Sequence, residues 1–306
     1  MTAIIRVIDI ETLFEEPQAN GICEIGYTDV IATSRDLLGE PTDWVVGATY
    51  STLINPLQPI PAITSAVHHI VDEDVDGAPT WDEVTDLVFG NGDVIAYAAH
   101  GAKFERAWLR EELTGGLPWI DTYRCALWLY QDAPTFSNSG LRYHLKPEGL
   151  VRAKADPAHR AGPDSYTTSH HVRDMLNAGN SIKRLVDWTE SPALLPTCKI
   201  GETYRNGGKG TPWKDVETSM LNWILSKSFD EDTMFTARYH LEQREIDQRN
   251  EWERQELNRQ YRENGMPETD RFGIHEDDKP ANDFNETQSD ERDHAPRDIN
   301  TMELPL

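Results

Sequence analysis

A mixed α/β layer fold is what this sequence predicts, and three observations carry the prediction. The first apolar residues, Ile4, Ile5, Val7 and Ile8, form a short unbroken run, as in a strand buried on both faces. Two further extended stretches follow, GICEIGYTDVI at 21–31 and WVVGATYSTLI at 44–54. After them, strand-like and helix-like segments alternate. Strands first and alternation afterwards is the order of a mixed sheet with helices packed on it.

Each element has its own signal. Asn55-Pro56 closes the third strand. Thr80 and Glu83 have capping-box spacing, and Trp81, Val84, Leu87 and Val88 share one helical stripe behind them. DVIAYAA at 93–99 reads as a fourth strand, followed by a helix holding Phe104, Ala107 and Trp108. WIDTYRCALWLYQ passes from a short strand into a helix. DSYTTSHHVRDMLNAG at 164–179 reads as a helix ending near Gly179, with His170 and His171 on its surface. Past residue 190 the pattern changes: NGGKG at 206–210 is a Gly-rich turn carrying Lys209, and SMLNWILSKSF has a helical apolar stripe. Residues 240–264 are so charged that they suit a solvated helix, and from Gly265 onward aliphatics are sparse, as in a disordered segment. The expected organisation is a main domain at 1–185, a small C-terminal module at 186–245, and a charged helix with a disordered acidic tail at 246–306.

Charge narrows the function classes. The formal net charge is −24 over 306 residues. Residues 265–306 hold 12 acidic and 4 basic side chains, which leaves −16 for residues 1–264. So acidic a body argues against a basic stripe for duplex DNA. It leaves room for an enzyme that meets nucleic acid through bound cations. No apolar run approaches the roughly 18 residues of a membrane span, and MTAIIRVIDIE meets charge too soon for a signal peptide. Cys23, Cys125 and Cys198 lie far apart without a CxxC pair, which fits a reducing cytoplasm.

The first strand ends in VIDIET, with Asp9 and Glu11 on one side. Two carboxylates on one buried face repel each other and resist desolvation. Further acids at element ends answer why they are tolerated. Glu105 follows an apolar strand at the start of a helix, and His159 precedes Asp164 by five residues where another helix begins. Four carboxylates and a histidine are what a two-metal phosphodiester hydrolase needs, and oxygen ligands suit magnesium or manganese.

At this point the sequence resembles the DEDDh 3′-to-5′ exonucleases, which are DnaQ-like proteins of the ribonuclease-H-like superfamily. The D-x-E-T motif stands as Asp9, Ile10, Glu11 and Thr12. The second motif, H-N-x-x-F-D, stands as His100, Gly101, Ala102, Lys103, Phe104 and Glu105, with Gly for Asn and Glu for the final Asp. The third, H-x-A-x-x-D, stands as His159, Arg160, Ala161, Gly162, Pro163 and Asp164. ICEIG, INPLQPIPA, VHHI and IDT between them are also family-like, so the resemblance spans about residues 4–178. The segment from Lys199 through MLNWIL looks like the C-terminal part of exodeoxyribonuclease X-like proteins.

The resemblance implies a five-stranded ribonuclease-H-like sheet, Mg²⁺ or Mn²⁺ at two positions per site, and DNA 3′ ends as substrate in repair, replication or degradation. It implies Asp9, Glu11 and Asp164 as metal ligands, Glu105 as a supporting ligand, and His159 as the general base. Thr12, Leu13, His68, His100 and Phe104 are the implied substrate contacts. Leu13 is equally a plain loop residue, and His68 and His100 read more readily as structural. Glu15 and Glu16, in a loop longer than most relatives have, repel an incoming phosphate unless they point away. The last residues, Met302–Leu306, resemble a sliding-clamp docking peptide, which makes a clamp or polymerase a candidate partner. RNA trimming or proofreading is the rival within the enzyme class, and a catalytically weak nucleic-acid-binding scaffold the rival outside it.

Overall fold

The computed structural model describes residues 3–90, 93–201 and 210–263. The chain divides into two compact units, 1–244 and 245–306. Five strands form the main sheet of the first: β1 (Ile4–Thr12), β2 (Ile22–Arg35), β3 (Pro41–Leu53), β4 (Val94–Ala99) and β5 (Trp119–Asp121). Their order is β3-β2-β1-β4-β5. β1 pairs antiparallel with β2, and β2 with β3, while β1–β4 and β4–β5 are parallel. The hairpin-like start and helical crossovers explain the mixture, since parallel neighbours need a connection long enough to hold a helix. This is the mixed five-stranded α/β sheet that a ribonuclease-H-like fold requires.

Alternation along β1 sorts its side chains between two cores. Ile5 and Val7 join Ala96 and Ala98 of β4 on one face. Ile4, Ile8 and Ile10 join Tyr97 on the other. Between β3 and β4 lie three helices, α1 (Ala62–His68), α2 (Asp72–Val75) and α3 (Trp81–Phe89). The capping box of α3 is formed, with the Glu83 carboxylate accepting Thr80 N–H at 2.7 Å. Its apolar stripe is narrower than the sequence suggests. Val84 and Val88 are buried, but Leu87 is 56 % exposed, because one sheet face covers less than the full stripe.

After β4 come α4 (Lys103–Trp108) and α5 (Glu111–Thr114), and after β5 come α6 (Thr122–Leu129) and α7 (Asn138–Leu145). Two longer helices follow, α8 (Ala161–Asn177) and α9 (Ile182–Glu190). α8 lies across β1, β2 and β3. His170 and His171 are buried within it, not on a surface, because the sheet covers one side and α7 meets another. Burial lowers both imidazole pKa values, to about 4 for His170 and about 3 for His171.

A side chain from a helix satisfies one position on each outer strand of the sheet. The Asn177 amide accepts from Trp44 N–H at 3.0 Å and donates to Trp44 C=O at 2.9 Å on β3. Thr189 Oγ1 accepts from Asp121 N–H at 2.8 Å on β5. Beyond α9, the short strands β6 (Thr197–Cys198) and β7 (Thr211–Pro212) pair antiparallel, and α10 (Thr218–Leu225) and the start of α11 (Glu231–Glu263) complete a small separate core around Trp213, Leu221 and Ile224. The second unit holds the rest of α11, where pairs such as Arg259–Glu256 at 2.7 Å link successive turns. Most of NGGKG, Lys209 included, and the terminal Met302–Leu306 lie outside the described residues. No helix among the described residues is long and apolar enough to cross a membrane.

One contact ties this framework to the catalytic candidates. A Cβ on Gly26 of β2 would stand 2.4 Å from the carbonyl carbon of Ala161, at the start of α8. Backbone cannot yield there as a side chain tip can. Gly26→Ala is expected to destabilise the protein by about 1–3 kcal/mol and to displace Asp164. Thermal denaturation checks it, and an unchanged midpoint would show that the approach is not rigid.

Candidate active site

The period of two decides where the carboxylates of β1 point. Asp9 and Glu11 share the face of Ile5 and Val7, which is the face that α8 covers. Asp164 lies in the first turn of α8. One oxygen each from Asp9, Glu11 and Asp164 fall within 4.8 Å of one another. All three side chains are half-buried.

Gathering these groups raises their proton affinity. Burial, then Asp164, Glu105, Glu11 and Glu24 in turn, push Asp9 well above the usual carboxylate range. Glu11 is pushed up to about 8 by burial first and then by Asp164 and Glu24, with Arg160 opposing. Burial also raises Asp164, against the His159 N–H that donates to its Oδ2 at 2.7 Å. Such a cluster ionises fully only with positive charge among it. The donor set is all oxygen, and the Glu105 Oε2 is buried without a hydrogen-bond partner. Both features fit a hard divalent cation.

Glu105 stands apart from the three-oxygen cluster. It is buried on α4 and near enough to Asp9 to affect its charge. Burial, then Asp121 and Glu11, raise its pKa to about 8, against its own helix N–H. Gly101, one turn earlier, has φ +89° and donates its N–H to Asp121 Oδ1 at 3.0 Å. A left-handed backbone at that point explains a glycine. His159 also has a left-handed backbone, with φ +60°, and its side chain is exposed beside Asp164.

The five implied substrate contacts are placed differently from one another. Phe104 is 37 % exposed and lines a groove of about 620 Å³ beside Glu11. Leu13 is 1 % exposed and packs with Cys23, Ile60 and Ile70. The Thr12 hydroxyl donates to Phe14 C=O at 2.7 Å. These two side chains are thus committed, and what they offer a ligand is mainly backbone. His68 is buried, with Nδ1 accepting from Ile70 N–H at 3.0 Å. His100 has Nδ1 at 2.9 Å from Thr122 Oγ1 and Nε2 at 2.8 Å from Phe136 C=O, so both ring nitrogens are engaged.

Three supporting residues escaped the sequence reading. Glu24 stands opposite Glu11 on β2. It is buried and takes both arms of Arg160, at 2.9 and 3.0 Å, plus Ala161 N–H at 3.0 Å. Asp121 caps α6 and holds Gly101 with the same oxygen. Asn138 Nδ2 approaches the Asp164 carboxylate at 3.3 Å. A signal existed for two of them: an acid inside an apolar strand, and Asp-Thr before a helix.

No protein-family model matches the chain, and no curated protein matches it. Among solved structures it is similar to "Exonuclease X in complex with 5' overhanging duplex DNA", at 29% identity over 60% of this chain and 99% of that one, TM-score 0.47. It is also similar to E. coli Exonuclease I in complex with a dA16 oligonucleotide, at 13% identity over 61% and 42% of the two chains, TM-score 0.42. A 3'-exonuclease described as recognising a histone mRNA stem-loop gives 16% identity over 57% and 64%, TM-score 0.36.

Two expectations follow from the electrostatics. Mg²⁺ or Mn²⁺ should raise the melting temperature, and Asp9→Asn should abolish the shift in the same thermal scan. The pH dependence has a definite sign. Glu11 and Glu105 rise from an ordinary value of 4.5 to about 8, so the folded, cation-free protein holds protons that the unfolded chain releases. Its stability should therefore fall as pH rises from about 5 to 8. The stabilisation by added cation should be larger at pH 8 than at pH 6, where protons compete. Melting scans at both values, with chelator and with cation, measure this.

Proposed function

We propose that this chain is a metal-dependent 3′-to-5′ exonuclease of the DEDDh type, hydrolysing phosphodiester bonds at the 3′ ends of DNA and releasing nucleoside 5′-monophosphates. The observation that carries the reading is the convergence of Asp9, Glu11 and Asp164 oxygens within 4.8 Å, from a strand end and a helix start. A scaffold that only binds nucleic acid has no use for such mutual repulsion. DNA rather than RNA rests on the sequence likeness of the C-terminal segment to exodeoxyribonuclease X-like proteins.

Asp9, Glu11 and Asp164 would hold the cations, with Glu105 as a supporting ligand. Divalent cations held there would offset the carboxylate charge and supply electrostatic stabilisation to the attacking and leaving oxygens. The exposed His159, beside Asp164, accepts the proton of the attacking water as general base. The water oxygen bonds to phosphorus, the bond to the 3′ oxygen of the shortened strand breaks, and that oxygen takes a proton from solvent. Arg160 is spent on Glu24, so the proton falls to the exposed His159 imidazole. Asn138 and the His159 N–H fix the Asp164 carboxylate in the meantime.

A 5′-labelled single-stranded DNA oligonucleotide with Mg²⁺ or Mn²⁺ should give a ladder shortening from the 3′ end. Asp9→Ala should abolish it, and His159→Ala should slow it by about 10²–10⁴-fold. If neither DNA nor RNA shortens in either metal, the reading passes to a binding protein that kept the fold.

A further inference from the structure

The groove beside the carboxylates has an unusual chemical character for a surface that meets an anionic polymer. Its exposed apolar side chains are Ile63, Val67 and Phe104, with Phe14 half-buried. Its outer rim carries the exposed acids Glu15 and Glu16. Among the described residues that line it there is no lysine or arginine. Its histidine, His68, is buried with Nδ1 already accepting a backbone N–H.

The rim is held in place. Leu13 N–H donates to Gly21 C=O at 2.8 Å, closing the base of the loop. Gly21 N–H donates to Gln18 C=O at 3.2 Å, and Gln58 Nε2 donates to Ala19 C=O at 3.1 Å and Asn20 C=O at 2.8 Å. Thr12 Oγ1 fixes the inner end through Phe14 C=O. The acids therefore ride on a loop anchored on both sides of them, at residues 12–14 and 18–21.

We propose that Glu15 and Glu16 act as a charge gate that makes this site select strands ending in an uncharged 3′-hydroxyl over strands ending in a 3′-phosphate. The inference rests on the exonuclease reading and names the end group that this reading leaves open. A scissile phosphate meets the carboxylate cluster, where bound cations offset the charge. The terminal nucleoside beyond it occupies the groove, where apolar side chains suit a base and sugar. A second phosphate at the 3′ position brings up to two more negative charges into a cation-poor space walled by two acids. Coulomb repulsion there is moderated by solvent yet acts at short range, and salt weakens it.

The test compares two 5′-labelled single-stranded oligonucleotides, identical except for a 3′-hydroxyl or a 3′-phosphate, with the full chain and with the double variant Glu15→Gln, Glu16→Gln. Both positions are exposed, so the variant should fold, and circular dichroism verifies it. The wild type should shorten the hydroxyl strand faster. The variant should narrow that preference about tenfold, chiefly by speeding the phosphate strand, and added salt should narrow it in the wild type only. Equal preference in the two proteins, or none in the wild type, overturns the gate. Binding of the same oligonucleotides in Ca²⁺, read by fluorescence anisotropy, separates the two claims. If the wild type shortens neither strand, the exonuclease reading fails. An affinity ratio that moves with the variant then still supports the gate, and one that does not move rejects it.

Discussion

The first turn of α8 lies against β2 so closely that residue 26 has no room for a side chain, and the site is referenced to that approach. Asp9 and Glu11 are fixed by the pleat of β1. Asp164 is fixed only if α8 begins at one height along the neighbouring strand. Backbone contact at Gly26 sets the distance, and Glu24 sets the direction by holding Arg160 and Ala161 N–H. A buried ion pair contributes little net stability against an apolar substitute, but it penalises any other register strongly. Its use here is positional.

Positioning comes at the expense of electrostatic comfort. Glu24 lies opposite Glu11 and adds a negative charge to a crowded corner, which Arg160 offsets from the other side. Asp121 likewise holds the Gly101 turn while raising the proton affinity of Glu105. The protein places anions so that they cannot relax by moving apart. Relief must come from outside, as protons or as cations, and the all-oxygen donors favour hard cations at neutral pH. The strain-like quality of the corner is thus what suits it to a hard cation.

Much of this was legible in the sequence because it depends on local pattern. The run Ile4–Ile8, the Thr80/Glu83 box and the Phe104, Ala107 and Trp108 stripe of α4 are each set by neighbours in the chain. The carboxylate set was legible for a different reason: acids at the ends of apolar elements are costly, so their presence carries information. What stayed hidden depends on partners distant in sequence. His170 and His171 look like surface polar residues on an amphipathic helix, and only the arrival of the sheet and α7 buries them. Leu87 fits its stripe, yet the face it points from has no cover. Leu13 follows a motif but is drawn into a pocket of Cys23, Ile60 and Ile70 that assembles from three segments. The helices α7 and α9 were missed although Ser137 and Ser181 each cap one, since a serine is too common to read as a cap alone.

The helix side chains that meet the outer strands bear on how the chain behaves in company. A bare outer strand offers a ladder of donors and acceptors on which another polypeptide can grow as an added strand. Asn177 gives Trp44 the donor and acceptor that a neighbouring strand would supply, and Thr189 answers Asp121 on the far side. Both imitators come from helices that the fold must dock anyway, α8 and α9. Cover at these two edge positions is therefore acquired in the same step as the site, and a chain that has not yet docked its helices lacks both.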